Sequence, residues 1–157
     1  MEVTYYDPCI GGQIAALIQP NTRIVYCESP GSLTFEMQDI PAIAAEAHRH
    51  GAIVVADNTW ATPLYFNAFA HGVDISMHSV TKYIGGHSDL IMGALSCKAA
   101  HYKRLLAASR NGGAGVAADE CYLAMRGLRT MAVRLKQHQQ SALAIARWLQ
   151  ARPEVEH

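Results

Sequence analysis

Residues 22–57 read TRIVYCESPGSLTFEMQDIPAIAAEAHRHGAIVVAD, and the fold class follows from this stretch. Thr22 to Glu28 is β-branched and apolar, and Ser29-Pro30-Gly31-Ser32 punctuates its end, which predicts a buried strand and a turn. A helix is expected from about Ile40 to His50. Asp39 suits its N-cap, and Ile40, Ile43, Ala44 and Ala47 share one face at i, i+3, i+4 and i+7. Gly51 stands where a helix commonly ends in a left-handed residue. Ala52 to Ala56 is a short continuous apolar run, the pattern of a strand buried on both faces. Strand, helix and strand joined by short turns make a right-handed βαβ unit of a parallel sheet.

Downstream, Val73 to His78 and Ile91 to Ser96 are two further strand candidates. After Cys97 the chain turns helical, over roughly His101–Arg110, Ala117–Met125 and Thr130–Ala151. In the last of these, Met131, Leu135, His138, Ala142, Ile145 and Leu149 form a stripe. It is short and interrupted by His138, which favours a helix packed on a domain face over a coiled-coil seam. No internal repeat and no low-complexity segment is visible.

The chain has 157 residues, half of them hydrophobic and 17% charged, which suits one domain with a real core. Lys plus Arg equals Asp plus Glu at 13 each, so there is no basic footprint for nucleic acid or an anionic membrane. No apolar run reaches the ~20 residues that span a bilayer. Cys9, Cys27, Cys97 and Cys121 form no Cys-x-x-Cys pair and read as reduced, small buried hydrophobes in a cytoplasmic protein. His48 and His50 lie two apart on a helix and share no ligand face, so no metal site is expected. The chain stops just after a long helix, at residues 152–157, and reads as a segment of something longer.

Ligands of doubly wound α/β sheets sit beyond the carboxyl ends of the strands. Asp57 directly follows the AIVVA strand, and Ser79-Val80-Thr81-Lys82 directly follows the Val73–His78 strand, leading into Tyr83-Ile84-Gly85-Gly86-His87-Ser88-Asp89. A lysine amine near two hydroxyls can form an imine with a carbonyl ligand while the hydroxyls hold a phosphate. A carboxylate at the neighbouring strand end can keep a heterocyclic nitrogen protonated. Pyridoxal 5'-phosphate (PLP) needs that set. By chemical type alone the set permits such a site, since a turn aspartate and a solvated loop lysine carry the same letters.

The segment SVTKYIGGHSDLIMGAL, Ser79 to Leu95, resembles the PLP-lysine signature of the Cys/Met-metabolism PLP-dependent enzymes, the family of the cystathionine lyases and synthases. VVADNTWATP, Val54 to Pro63, is similar to that family's pyridinium-aspartate strand, and RGLRT, Arg126 to Thr130, to its helix junction. The resemblance covers essentially the whole chain. It implies a partial large domain of the aspartate-aminotransferase-like (fold-type I) PLP-dependent transferase fold, an α/β architecture with a mostly parallel sheet flanked by helices. Residues 1–129 would form the PLP-binding α/β domain, incomplete on its N-terminal side. Residues 130–157 would form a long helix leading towards a C-terminal domain.

Carried over by residue, the resemblance implies that Lys82 is the imine lysine and catalytic base. It further implies that Asp57 pairs with the pyridinium nitrogen and that Ser79 and Thr81 contact the cofactor phosphate. Within the family, the Glu28–Ser32 turn, Trp60 and the Arg134–His138 run resemble the cystathionine β-lyase branch, whereas Ala61-Thr62-Pro63 looks more like the γ-elimination branch. The implied reaction is β-elimination of cystathionine, a small sulfur amino acid, to homocysteine, pyruvate and ammonia. The alternatives are the sister γ-elimination or γ-replacement and a non-catalytic truncated fragment. Complete family members work as homo-oligomers, typically tetramers. They carry an upstream glycine-containing phosphate loop, a ring-stacking aromatic, a Tyr/Arg pair from a neighbouring subunit and a carboxyl-terminal arginine for the substrate carboxylate; no motif here matches these.

Overall fold

The computed structural model describes residues 2–155. Its centre is β1 (Ile24–Glu28), α1 (Ile40–Arg49) and β2 (Ile53–Asp57), with β1 and β2 parallel in register from Ile24↔Ile53 to Glu28↔Asp57. The predicted βαβ unit is therefore present. The Asp39 carboxylate accepts the Ala42 N–H at 3.1 Å, satisfying one of the amides that a helix start leaves orphaned. Gly51, at φ +75°, takes the chain out of α1. The predicted face of α1, Ile40, Ile43, Ala44 and Ala47, is fully buried with Val25, Cys27, Val54 and Ala56 of the two strands. Burying one isoleucine or valine side chain stabilises by about 1.5–3 kcal/mol, so Ile40, Ile43, Val25 and Val54 do most to hold the helix to the sheet.

β3 (Ile75–Ser79) adds parallel to β2, and β4 (Gly93–Cys97) adds antiparallel to β3, giving the order β1-β2-β3-β4. The antiparallel edge follows from the connection: residues 80–92 turn back directly, with no crossover helix of the kind a parallel neighbour needs. The AIVVA strand departs from the expectation of burial on both faces. Val54 and Ala56 are buried under α1, but Ile53 and Val55 are only half-buried, and on the same face Ile24, Tyr26 and Leu95 are exposed. One sheet face is thus packed and the other largely open.

The short helix α2 (Thr62–Tyr65) and a 3-10 turn at Ala68–His71 went unforeseen, because elements this short carry no periodicity. A 3-10 helix at Gly11–Leu17 precedes β1 and inserts Ile14 into the core. α3 (Ala99–Asn111) lies beyond β4 and buries no residue. The two helices expected over 117–125 and 130–151 are one, α4 (Ala118–Gln150). Gly127 does not break it. That residue is small because a Cβ there would overlap the carbonyl oxygens of Ile84 and Gly85. Of the apolar stripe on α4, Met131 and Leu135 are buried, while residues from 136 to 150 are exposed. Among the cysteines only Cys27 is buried; Cys97 is half-buried and Cys9 and Cys121 are exposed, so the expectation of four buried thiols is corrected. Residues 156–157 of the expected terminal segment lie outside the described residues. Among the described residues no helix is long and apolar enough to cross a membrane.

At the amino ends of the strands, Asp74 is a structural hub. Its carboxylate meets Lys98 Nζ at 2.9 Å, His48 Nε2 at 2.8 Å and the Val54 N–H at 2.8 Å. Burial alone would raise this carboxyl, but those three partners hold it below the usual carboxylate value. His48 is thereby engaged in joining α1 to β3.

Candidate active site

The carboxyl ends of β2 and β3 are stapled together by backbone and short side chains. Asn58 N–H donates to the Met77 carbonyl at 2.9 Å, Thr59 N–H to Asp57 Oδ1 at 2.9 Å, and Ser79 N–H to Thr59 Oγ1 at 2.8 Å. Asp57 and Ser79 are the last residues of their strands rather than the first residues after them, and both are half-buried. In the parallel register Asp57 stands opposite Met77, two residues before Ser79. Side chains alternate along a strand, so Asp57, Met77 and Ser79 project from the same, open face of the sheet. Thr59 was not singled out from sequence, although a Thr two residues after a strand-end Asp is the pattern of such a turn.

Lys82 lies in a tight turn beyond β3. Its N–H donates to the Ser79 carbonyl at 3.1 Å, Gly85 N–H donates to the Val80 carbonyl at 2.7 Å, and Gly86 N–H donates to the Lys82 carbonyl at 2.8 Å. The turn borders a cavity of about 520 Å³ lined by Thr59, Trp60, Thr81, Lys82, Arg134 and His138, among others. Among the described residues no carboxylate lies within ion-pair distance of Lys82, which leaves its amine free for a ligand. Asp57 and Ser79 are not among the lining residues of this cavity, so the turn and the strand ends form two adjoining parts of the candidate site.

Thr81 stands differently from the expectation of a phosphate contact. Its hydroxyl donates to the Met92 carbonyl at 3.3 Å and accepts the Met92 N–H at 3.0 Å. A hydroxyl has one proton, and here that proton ties the lysine loop to the start of β4. Donation to a phosphate would require this bond to be given up.

His78 is buried behind the strand ends, with Nε2 3.1 Å from Ser76 Oγ. Burial pushes its pKa down, and the nearby Asp57 charge opposes that only in part. On the open face, burial and then the Asp57 charge push the Tyr26 phenol up. Two buried polar atoms have no partner among the described residues, Asn58 Oδ1 and Arg134 Nη1. Arg134, unmarked by sequence reasoning except as part of a family-like run, reaches across from α4 to the lysine turn. Its signal was available: Gly127, Thr130 and Arg134 share one face of the helix at spacings of three and four.

The donor set fits PLP at two of its three ends. Lys82 offers a free amine for the aldehyde, and Asp57 keeps one carboxylate oxygen beyond the bond to Thr59 for a ring nitrogen. At the phosphate end Ser79 contributes a hydroxyl.

The model of the Cys/Met metabolism PLP-dependent enzyme family matches residues 1–157. The chain belongs to this family. A putative cystathionine β-lyase of Rhizobium johnstonii is 56% identical over 157 residues, which are 99% of this chain and 39% of that protein. An L-alanine/L-glutamate racemase of Wolbachia pipientis is 44% identical over 154 residues, 98% of this chain and 38% of the relative. Cystathionine γ-lyase from Lactobacillus plantarum, solved in complex with L-serine, superposes with a TM-score of 0.86 at 34% identity, over 92% of this chain and 38% of that one. The chain thus has the fold of a partial fold-type I PLP domain and spans about two fifths of the length of these relatives, 38–39%. Relatives named for three different reactions match the chain, at 34–56% identity, so family membership fixes the cofactor and leaves the substrate to argument.

Proposed function

We propose that the protein containing this chain is a PLP-dependent carbon–sulfur lyase that cleaves cystathionine by β-elimination, a step of methionine biosynthesis by transsulfuration chemistry. Lys82, Asp57, Ser79 and Thr81 are its proposed site residues, Thr81 by exchanging its bond to the Met92 carbonyl for one to the phosphate, and the proposed setting is a cytoplasmic homotetramer. The observation that carries the reading is the free Lys82 amine in a cavity wall beside the stapled strand ends that present Asp57 and Ser79.

Bound PLP supplies an electron sink for the pair left when the Cα proton of an amino acid departs. Lys82 Nζ would be the base that takes that proton and the acid that passes it on to the departing sulfur. The Asp57 carboxylate, oriented by the Thr59 N–H, holds the proton on the ring nitrogen by opposite charge. Trp60 and Thr59 wall the cavity on the side of β2. Loss of the thioether sulfur from Cβ then yields homocysteine, with pyruvate and ammonia after hydrolysis.

γ-Elimination uses the same proton abstraction. Two observations favour keeping it as the second reading: the Ala61-Thr62-Pro63 run and the likeness to a γ-lyase structure. The test begins with the chain mixed with PLP, reduced with borohydride and mapped by peptide, beside Lys82→Ala. Stoichiometric label on Lys82, absent from the variant, is the expected result. Label spread equally over Lys98, Lys103 and Lys136 would mean that the site is not formed in this chain and would favour the reading as a non-catalytic fragment. Cystathionine then separates the reactions: homocysteine and pyruvate mark β-elimination, cysteine and 2-oxobutyrate the γ-reaction.

A further inference from the structure

We infer that Arg134 is a positioning residue for Lys82: from α4 it fixes the turn Lys82–Gly86 and so sets where the amine stands. The inference deepens the proposed function and rests on Lys82 being the cofactor lysine. The Arg134 guanidinium spans helix and loop. Its Nε donates to Thr130 Oγ1 at 3.0 Å, and Nη2 donates to the Gly127 carbonyl at 2.8 Å and the Ile84 carbonyl at 3.4 Å. Nη1 is buried without a partner and packs on Gly86, where a Cβ would overlap it. Gly86 is held at φ +73°, a conformation that glycine adopts without strain, and its N–H donates to the Lys82 carbonyl at 2.8 Å. The chain of contacts therefore runs from guanidinium to Gly86 to the Lys82 backbone.

Three further contacts fasten the same loop to α4: Arg126 with Asp89 at 2.7 Å, Gly127 seated against Ile84 and Gly85, and Tyr83 beside His138 with ring centres 5.9 Å apart. Loss of Arg134 alone leaves those in place, so the helix stays docked and the turn loosens. Only a planar fork reaches Thr130, Gly127 and Ile84 together; a lysine ammonium keeps the charge and loses that geometry.

The test is amide exchange of the cofactor-free chain, with Arg134→Lys and Arg134→Ala beside it, followed by borohydride trapping of PLP. Exchange at Gly85 and Gly86 should speed up on the order of ten-fold in both variants while the amides of β1 and β2 stay protected. Labelling of Lys82 should slow in step with it, and added guanidinium should restore both readouts in Arg134→Ala. Unchanged exchange at Gly85 and Gly86, or acceleration spread evenly over the whole sheet without guanidinium rescue, would overturn the inference. Exchange needs no cofactor, so it decides for or against Arg134 even if the parent chain takes no label. That result would count against the proposed function alone.

Discussion

At Asp57 a single carboxylate has one oxygen held by the Thr59 N–H and the other left for a ligand. Replacing it by Asn keeps the turn but removes the charge. Asp57→Asn should still accept PLP at Lys82, while elimination falls by on the order of 10²-fold, the usual scale for losing one preorganised electrostatic contact. Full turnover in that variant would end the assignment, and steady-state pyruvate release measures it. His78 makes a separate prediction. Its folded pKa lies below the ordinary value of about 6.5, so the unfolded chain binds that proton more tightly. Stability is then complete above about pH 6.5 and is lost as pH falls through the window below it. Urea midpoints measured from pH 7.5 down to pH 5 should decline, and His78→Gln should flatten that decline. The places of Asp57 at the end of β2 and of Lys82 just beyond β3 were legible in the sequence, because a distinctive run of neighbours surrounds each. The engagement of Thr81 with Met92 was not, since it depends on where a residue eleven positions away returns.

At the scale of elements, the β1–α1–β2 unit could be read almost entirely from residues, because capping, helix face and apolar run all agree on one answer. The stretch around RGLRT could not. A glycine within a helical pattern suggests a junction, whereas here it is the point where α4 crosses the lysine loop at backbone distance. Gly127→Ala separates the two accounts. Helix propensity alone would favour Ala by about 1 kcal/mol. Overpacking against the Ile84 and Gly85 carbonyls should outweigh that gain and leave the variant less stable by about 1–3 kcal/mol. Chemical denaturation reads the sign directly, and a stabilised variant would mean that the helix is not seated there. The unforeseen openness of one sheet face has a similar origin: an apolar run records what a strand is able to bury, while the neighbour that buries it lies elsewhere in sequence.

For the molecule as a whole, that open face sets behaviour in solution. Ile24, Tyr26 and Leu95 are 55%, 46% and 56% exposed on it, and apolar surface of this kind drives association. Sedimentation should show concentration-dependent self-association of the chain, and Ile24→Lys with Leu95→Lys should shift it towards the monomer; a concentration-independent monomer in the parent chain would refute this. The other long-range feature is α4 itself. It is gripped between Gly127 and Leu135 and exposed from residue 136 onwards, without a break to Gln150. In mechanical terms it is a lever with its fulcrum at the lysine turn. At ~1.5 Å per residue its exposed arm from residue 136 to Gln150 is roughly 22 Å long, so a swing of roughly 3 Å at the tip corresponds to a tilt of only about 8° at the fulcrum. Displacement of the far arm is therefore scaled down, and the force behind it magnified, before either reaches the turn that carries Lys82.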